Sequence, residues 1–224
     1  MFYEPGKSGH GLPHDPFKSL VVPRPIGWIS PYAKDGTPNL APYSFFNAVG
    51  FAPPMVIFSS GTRRPDHSDK DSALNVEETG AFVVNMVSYD LRDQMTLSAE
   101  EVDPDVDEFD LAGLEMGQAK TVNAPLVVAS PAHLECKYMQ TVKLESTKPG
   151  VFSKVVFGEV VGVQINDDYL TDQGRVDVEK MRPVARLVYM DSTSVETIFS
   201  MKKLMPEDGQ NPGEAGTGIT RKLG

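Results

Sequence analysis

The sequence predicts a mainly β protein with a few helices, its antiparallel strands rolled into a closed or split barrel. Two observations carry this. Segments of β-branched and aromatic composition recur along the chain, bounded by Gly, Pro and Asp-Gly turn signals. Between them only two stretches carry helical punctuation, too few for the strand–helix alternation of a parallel doubly wound sheet. Closure removes the exposed edges that so many strands would otherwise present. A length of 224 residues suits one compact domain with embellishments. The expected divisions are an extended arm over residues 1–19, rich in Gly, Pro and His, a barrel domain over 20–204, and a flexible tail over 205–224.

The elements follow in order. "SLVVPRPIGWIS" is the first strand, and Pro23 and Pro25 place the segment around Arg24 at an edge or bulge. "KDGT" turns the chain. "NLAPYSFFNAV" has strand composition with imperfect alternation, and "PPMVIFSS" is a short apolar strand. A helix follows, capped by Ser68 or Asp69, containing Glu77 and Glu78, and ended by Gly80. "AFVVNM" is a buried strand, and "SYDLRDQMTLSAE" a second helix with Leu91, Met95 and Leu97 on one side. The acidic run from Glu100 to Asp110 matches no metal-ligand spacing and reads as a solvated loop. "APLVVAS", "AHLECKYMQTVKLE", "KVVFGEVVGVQIND" and "PVARLVYM" are further strands, with "KPGV" as a hairpin turn.

Composition excludes several function classes. A formal net charge of −10 repels phosphate backbones, which argues against nucleic-acid binding but leaves room for a small anion in a locally basic pocket. Neither a secretory leader nor an apolar run long enough to span a bilayer is present, so no membrane association is expected. The one cysteine, Cys136, reads as a small buried hydrophobe in a chain from a reducing compartment, the cytoplasm. His10 and His14 lie four apart among Gly and Pro, which prevents a helix from aligning them on a metal. With no nucleophile elbow, P-loop or zinc motif, the side chains offer no obvious catalytic group. A bound cofactor is then the expected source of chemistry.

Two stretches could hold one. "SSGTRRPDHSDKDS" gathers Ser59, Ser60, Thr62, Arg63, Arg64, Lys70 and Ser72 before and inside the start of a helix. Hydroxyls, cations and free amides at a helix N-terminus suit a phosphate dianion; the same residues also suit an ordinary polar loop. "YSFFN" supplies aromatic surface, a hydroxyl and an amide, as the flat face and polar edge of a ring system require; Phe45 or Phe46 must also pack in the core.

In order along the chain, "HGLPHDPFKSLVVPRPIGWIS", "NLAPYSFFN", "PPMVIFSS", "KDSALNVEETGAFVVN", "DEFDLAGLE", "LECKY", "FGEVVGV" and "RPVARLVYMD" make it similar to the flavin reductase-like family. That family has an FMN-binding split β-barrel and includes reductase components of two-component monooxygenases such as nitrilotriacetate monooxygenase. The resemblance implies a homodimer with FMN near the interface, NADH or NADPH as electron donor, and an acceptor such as free flavin, a partner monooxygenase or oxygen. Its alternatives are an FMN-binding electron carrier without a nicotinamide site, and a stand-alone flavoprotein oxygenase. Carried over by residue, Ser44, Phe45, Phe46 and Asn47 correspond to the flavin-edge segment, and Ser59 and Ser60 to the strand end beside the ring or ribityl chain. Arg64 (or its neighbour Arg63), Lys70 and Ser72 correspond to phosphate ligands, with Asp71 in the same turn; the family's usual Lys-Asp-Thr is Lys-Asp-Ser here. Arg24 borders the pocket, and Trp28 borders it or fills the barrel core.

Overall fold

A computed structural model of the chain describes residues 1–5, 7–62, 70–103, 105–147 and 149–201. Its strands are β1 (Arg24–Pro25), β2 (Gly27–Ser30), β3 (Ala41–Tyr43), β4 (Phe46–Phe51), β5 (Pro54–Gly61), β6 (Ala81–Asn85), β7 (Met116–Gln118), β8 (Pro125–Val127), β9 (Ala132–Glu145), β10 (Phe152–Ile165), β11 (Val184–Arg186) and β12 (Ser192–Ser194). The α-helices are α1 (Asp71–Thr79), α2 (Arg92–Leu97), α3 (Glu108–Leu111) and α4 (Val178–Met181).

Seven strands pair antiparallel in the order β3-β2-β6-β9-β10-β5-β4. β3 and β4 are the two edges of that sheet, yet only Ser44 and Phe45 separate them in the chain. So short a link spans about 10 Å, whereas the edges of a flat seven-stranded sheet would stand roughly 28 Å apart. The sheet therefore rolls until its edges meet. At the meeting point Phe46 of β4 lies directly on Gly27 of β2, where a Cβ would fall 2.5 Å from its ring. The rings of Tyr43 and Phe58 close β3 onto β5 at 5.0 Å. This is the antiparallel split barrel that the composition predicts.

Inside the barrel, Ile29, Tyr43, Val56, Phe58, Phe82, Val84, Cys136 and Val156 form one core with Ala73 and Val76 of α1. On the other side of β2, Ile26, Trp28, Leu40, Val87, Leu91, Phe109, Val127 and Val184 form a second. Trp28 is fully buried there and its Nε1 donates to Ser98 Oγ at 2.9 Å, so it is core. Cys136 is buried too, and burial pushes its thiol upward, away from reactivity.

Several expectations needed revision. "NLAPYSFFNAV" is two strands, because the chain must leave one sheet edge and join the other between Tyr43 and Phe46. The first helix starts at Asp71 with Lys70 at its N-cap; Ser68 and Asp69 lie outside the described residues. Gly80 ends it in the left-handed region, at φ 77°, its N–H donating to Val76 O. Leu97 faces solvent, whereas Leu91 is buried and Met95 packs beside it. The acidic run is no plain solvated loop: Asp107 caps α3, and Glu108 and Phe109 are buried. The His14 ring of the arm stands 5.0 Å from that of Tyr189. The 205–224 tail lies outside the described residues. No described helix is long and apolar enough to cross a membrane.

Candidate functional site

The β3–β4 joint opens onto a cavity of about 690 Å³, within the size range of small-molecule sites. Pro42, Tyr43, Ser44 and Phe45 of the joint form one wall, and Ser59, Gly61 and Thr62 at the end of β5 another. Lys70 at the start of α1, Arg24 of β1, Arg186 of β11 and Lys18 of the arm bring four cations to it, with the carboxylate of Asp15 beside them among the described residues. A second cavity of about 460 Å³ shares Pro42, Tyr43, Ser44, Lys70 and Arg186 with the first. It extends past Asn39, Asp71, Ser72 and Glu108 toward the end of α2.

Strand alternation sorts the sequence candidates. Along β5, Val56, Phe58 and Ser60 point into the barrel while Ser59 points into the larger cavity. Ser60 is buried near the Tyr43 hydroxyl instead. Phe46 packs on the core and on Gly27, and Asn47 is exposed with its Oδ1 accepting from the Ala48 N–H; neither lines either of these two cavities. Ser44, Phe45, Ser59 and Lys70 do line the larger cavity, and Ser44, Lys70, Asp71 and Ser72 the smaller. Arg63 and Arg64 lie outside the described residues.

Ser72 has a partner inside the protein. Its Oγ donates to Asn39 Oδ1 at 2.7 Å, and Asn39 Nδ2 donates to Glu108 Oε1 at 2.8 Å. The Leu40 N–H donates to Glu108 Oε2 at 3.0 Å. Burial, aided by the charge of Asp71, pushes Glu108 up to about 7 despite these donors. The α1 start is thus braced by a buried chain ending in a carboxyl that changes charge near neutrality.

Polar atoms without partners gather around the larger cavity. Among the described residues, Arg24 Nε and Thr62 Oγ1 are buried without a hydrogen-bond partner, and both residues line it, whereas the Tyr43 hydroxyl on the same wall has Ser60 and Ser72 beside it. Burying such a group unpaired costs about 1–3 kcal/mol. Two around one cavity are what a bound polar ligand would relieve. Phe45, 47 % exposed, offers it an aromatic surface.

The sequence reading named Thr62 among its phosphate-site candidates but missed Arg186 and Lys18 as site residues, and Glu108 as a buried one. Arg186 stood in "RPVARLVYMD"; only the pairing of β1 with β11 brings it to the cavity.

Residues 19–196 match the family model described as "Flavin reductase like domain". An uncharacterised protein of Aquifex aeolicus is 42% identical over 168 residues, covering 75% of this chain and 82% of that protein. Among solved structures, nitrilotriacetate monooxygenase component B from Bacillus cereus superposes with a TM-score of 0.80 at 25% identity, covering 90% of this chain and 98% of that one. The 2-nitrobenzoate 2-nitroreductase of Pseudomonas fluorescens does so with a TM-score of 0.72 at 25% identity, covering 86% and 92%.

Proposed function

The chain belongs to the flavin reductase-like family, and from that premise we propose that it is an FMN-dependent oxidoreductase reduced by NADH or NADPH. The observation carrying the proposal is the convergence of Arg24 and Thr62, each with an unpartnered buried polar atom, on a cavity that also holds Tyr43, Phe45 and Lys70. The residues fit the cofactor. Phe45 gives a ring an apolar face, Ser44 and Ser59 give its edge and chain hydroxyl partners, and Lys70 at the start of α1 gives a phosphate its cation. Asp71 and Ser72 set the α1 start, with Ser72 held by Asn39. Bound FMN would supply two-electron redox chemistry that no side chain here offers. The protein's part is to orient, to donate hydrogen bonds and to limit water access, so no catalytic residue need be named.

The acceptor in this reading is free flavin, oxygen or a partner monooxygenase, as the likeness to a monooxygenase component B suggests. The working unit is a homodimer in the cytoplasm with FMN near the interface. Support for the dimer comes from Val49 and Phe51, exposed on β4, and from Met139, Val142 and Leu144, exposed on β9.

The test is anaerobic: load the protein with FMN, add NADH or NADPH, and follow the visible flavin absorbance. Rapid bleaching with a preference for one donor is expected. Tight FMN binding without bleaching would replace this reading with an electron carrier or a stand-alone oxygenase, and absence of FMN binding would refute the site.

A further inference from the structure

The larger cavity contains a pairing that barrel stability does not explain. Arg24 of β1 and Arg186 of β11 are direct cross-strand partners. Like charges directly opposite in an antiparallel pair are destabilising. Arg24 is only 7% exposed, and neither guanidinium has a carboxylate partner among the described residues. The protein spends part of each on backbone carbonyls. Arg24 Nη1 donates to Lys18 O at 2.8 Å and Val21 O at 2.9 Å, and Arg186 Nη2 donates to Tyr189 O. Arg24 Nε remains buried and unpaired. Burial first, then the charge of Arg186, makes Arg24 easier to deprotonate than an ordinary arginine.

Two cations held together at a cost need an anion to offset them. The FMN phosphate already has a place at the α1 start. Lys70 stands over the Tyr43 ring at 5.7 Å and Arg24 over the Phe45 ring at 5.7 Å, so they approach successive sides of the joint around Ser44. A phosphate held at the α1 start by Lys70 leaves the Arg24–Arg186 pair, which has no carboxylate partner among the described residues, still without a counter-ion.

Resting on the reductase reading above, we propose that Arg24 and Arg186 form a second anion site, which takes a phosphoryl group of the nicotinamide dinucleotide donor while FMN keeps its own at Lys70. Guanidinium pairs suit this chemistry because their planar forks match phosphate oxygens two at a time. The pair fixes the donor's phosphates, not its reacting ring, and so sets donor affinity.

ADP-ribose is the probe, since it carries the donor's phosphates but no electrons and reports this site whether or not the protein is a reductase. Titrated calorimetrically into FMN-loaded protein, it is expected to bind the wild type and to bind Arg186→Gln at least tenfold more weakly. Arg186→Lys should recover part of the loss, since it keeps the charge without the fork. FMN affinity, measured by fluorescence, should move less than threefold in Arg186→Gln but weaken roughly 10–100-fold in Lys70→Ala. Three results would overturn the proposal: no ADP-ribose binding to the wild type, equal binding to Arg186→Gln, or a loss of FMN affinity in Arg186→Gln matching that in Lys70→Ala. Wild-type protein that binds ADP-ribose and FMN but is not bleached by NADH or NADPH would refute the reductase reading and, with it, the assignment of the pair to an electron donor.

Discussion

Glu108 shows how one side chain can tie the site to pH. Its carboxyl is raised from the usual carboxylate range to about 7, chiefly by burial. Between about pH 4.5 and 7 the folded protein therefore binds a proton that the unfolded chain has lost. Its stabilising contribution is complete below pH 4.5 and disappears as pH rises through 7. After allowance for solvent entering from the smaller cavity, the span is about 2 kcal/mol. Glu108→Gln removes the titration. The melting temperature of the variant relative to wild type is then expected to rise by about 5 °C between pH 4.5 and 8. A constant difference across that range would show that Glu108 does not titrate there. None of this was legible in the sequence, where Glu108 is one acid in an acidic run; its burial depends on Asn39 and Leu40, far away in the chain. Ser59 and Ser60 show the complementary limit. Both hydroxyls were visible, but their separation onto opposite faces followed only once the register of β5 was known.

Among the elements, the β3–β4 joint does most to position the site. Asp-Gly turns, double prolines and β-branched runs made the individual strands readable because those signals are local. That two strands adjoining in sequence form opposite edges of one sheet is a property of closure, and no local signal records it. Gly27 is where closure meets the site. A methyl there would lie 2.5 Å from Cδ2 and 2.7 Å from Cγ of Phe46, next to Phe45. Gly27→Ala must push the Phe46 ring and the start of β4 outward, at roughly 1–3 kcal/mol. Gly158→Ala makes a comparable clash with Phe82, at 2.4 Å, deep in the barrel and away from the joint. Both variants are expected to lower the melting temperature, but only Gly27→Ala should weaken FMN binding, by about tenfold in a fluorescence titration. Equal FMN affinity in the two variants would remove the joint from the site.

For the molecule as a whole, charge poses the sharpest problem. A protein of net charge −10 must admit ligands that are themselves anionic, and its long-range field opposes their approach. The cavity reverses the sign locally, with Lys18, Arg24, Lys70 and Arg186 around one space. The two fields differ in reach. At about 0.01 M salt the screening length is about 30 Å, so an approaching ligand senses the whole acidic surface; near 0.15 M it is about 8 Å, and the repulsion is largely removed while the cavity cations still act; at 1 M it is about 3 Å and both are weakened. The association rate of FMN, followed by stopped-flow fluorescence, should therefore rise with added salt, pass through a maximum near physiological ionic strength, and fall beyond it. Arg186→Gln, with one local cation fewer, should lower the maximum and leave the low-salt rise in place. A rate that only falls with salt would mean that the basic cavity governs the approach at every distance, and that the acidic exterior plays no part in ligand entry.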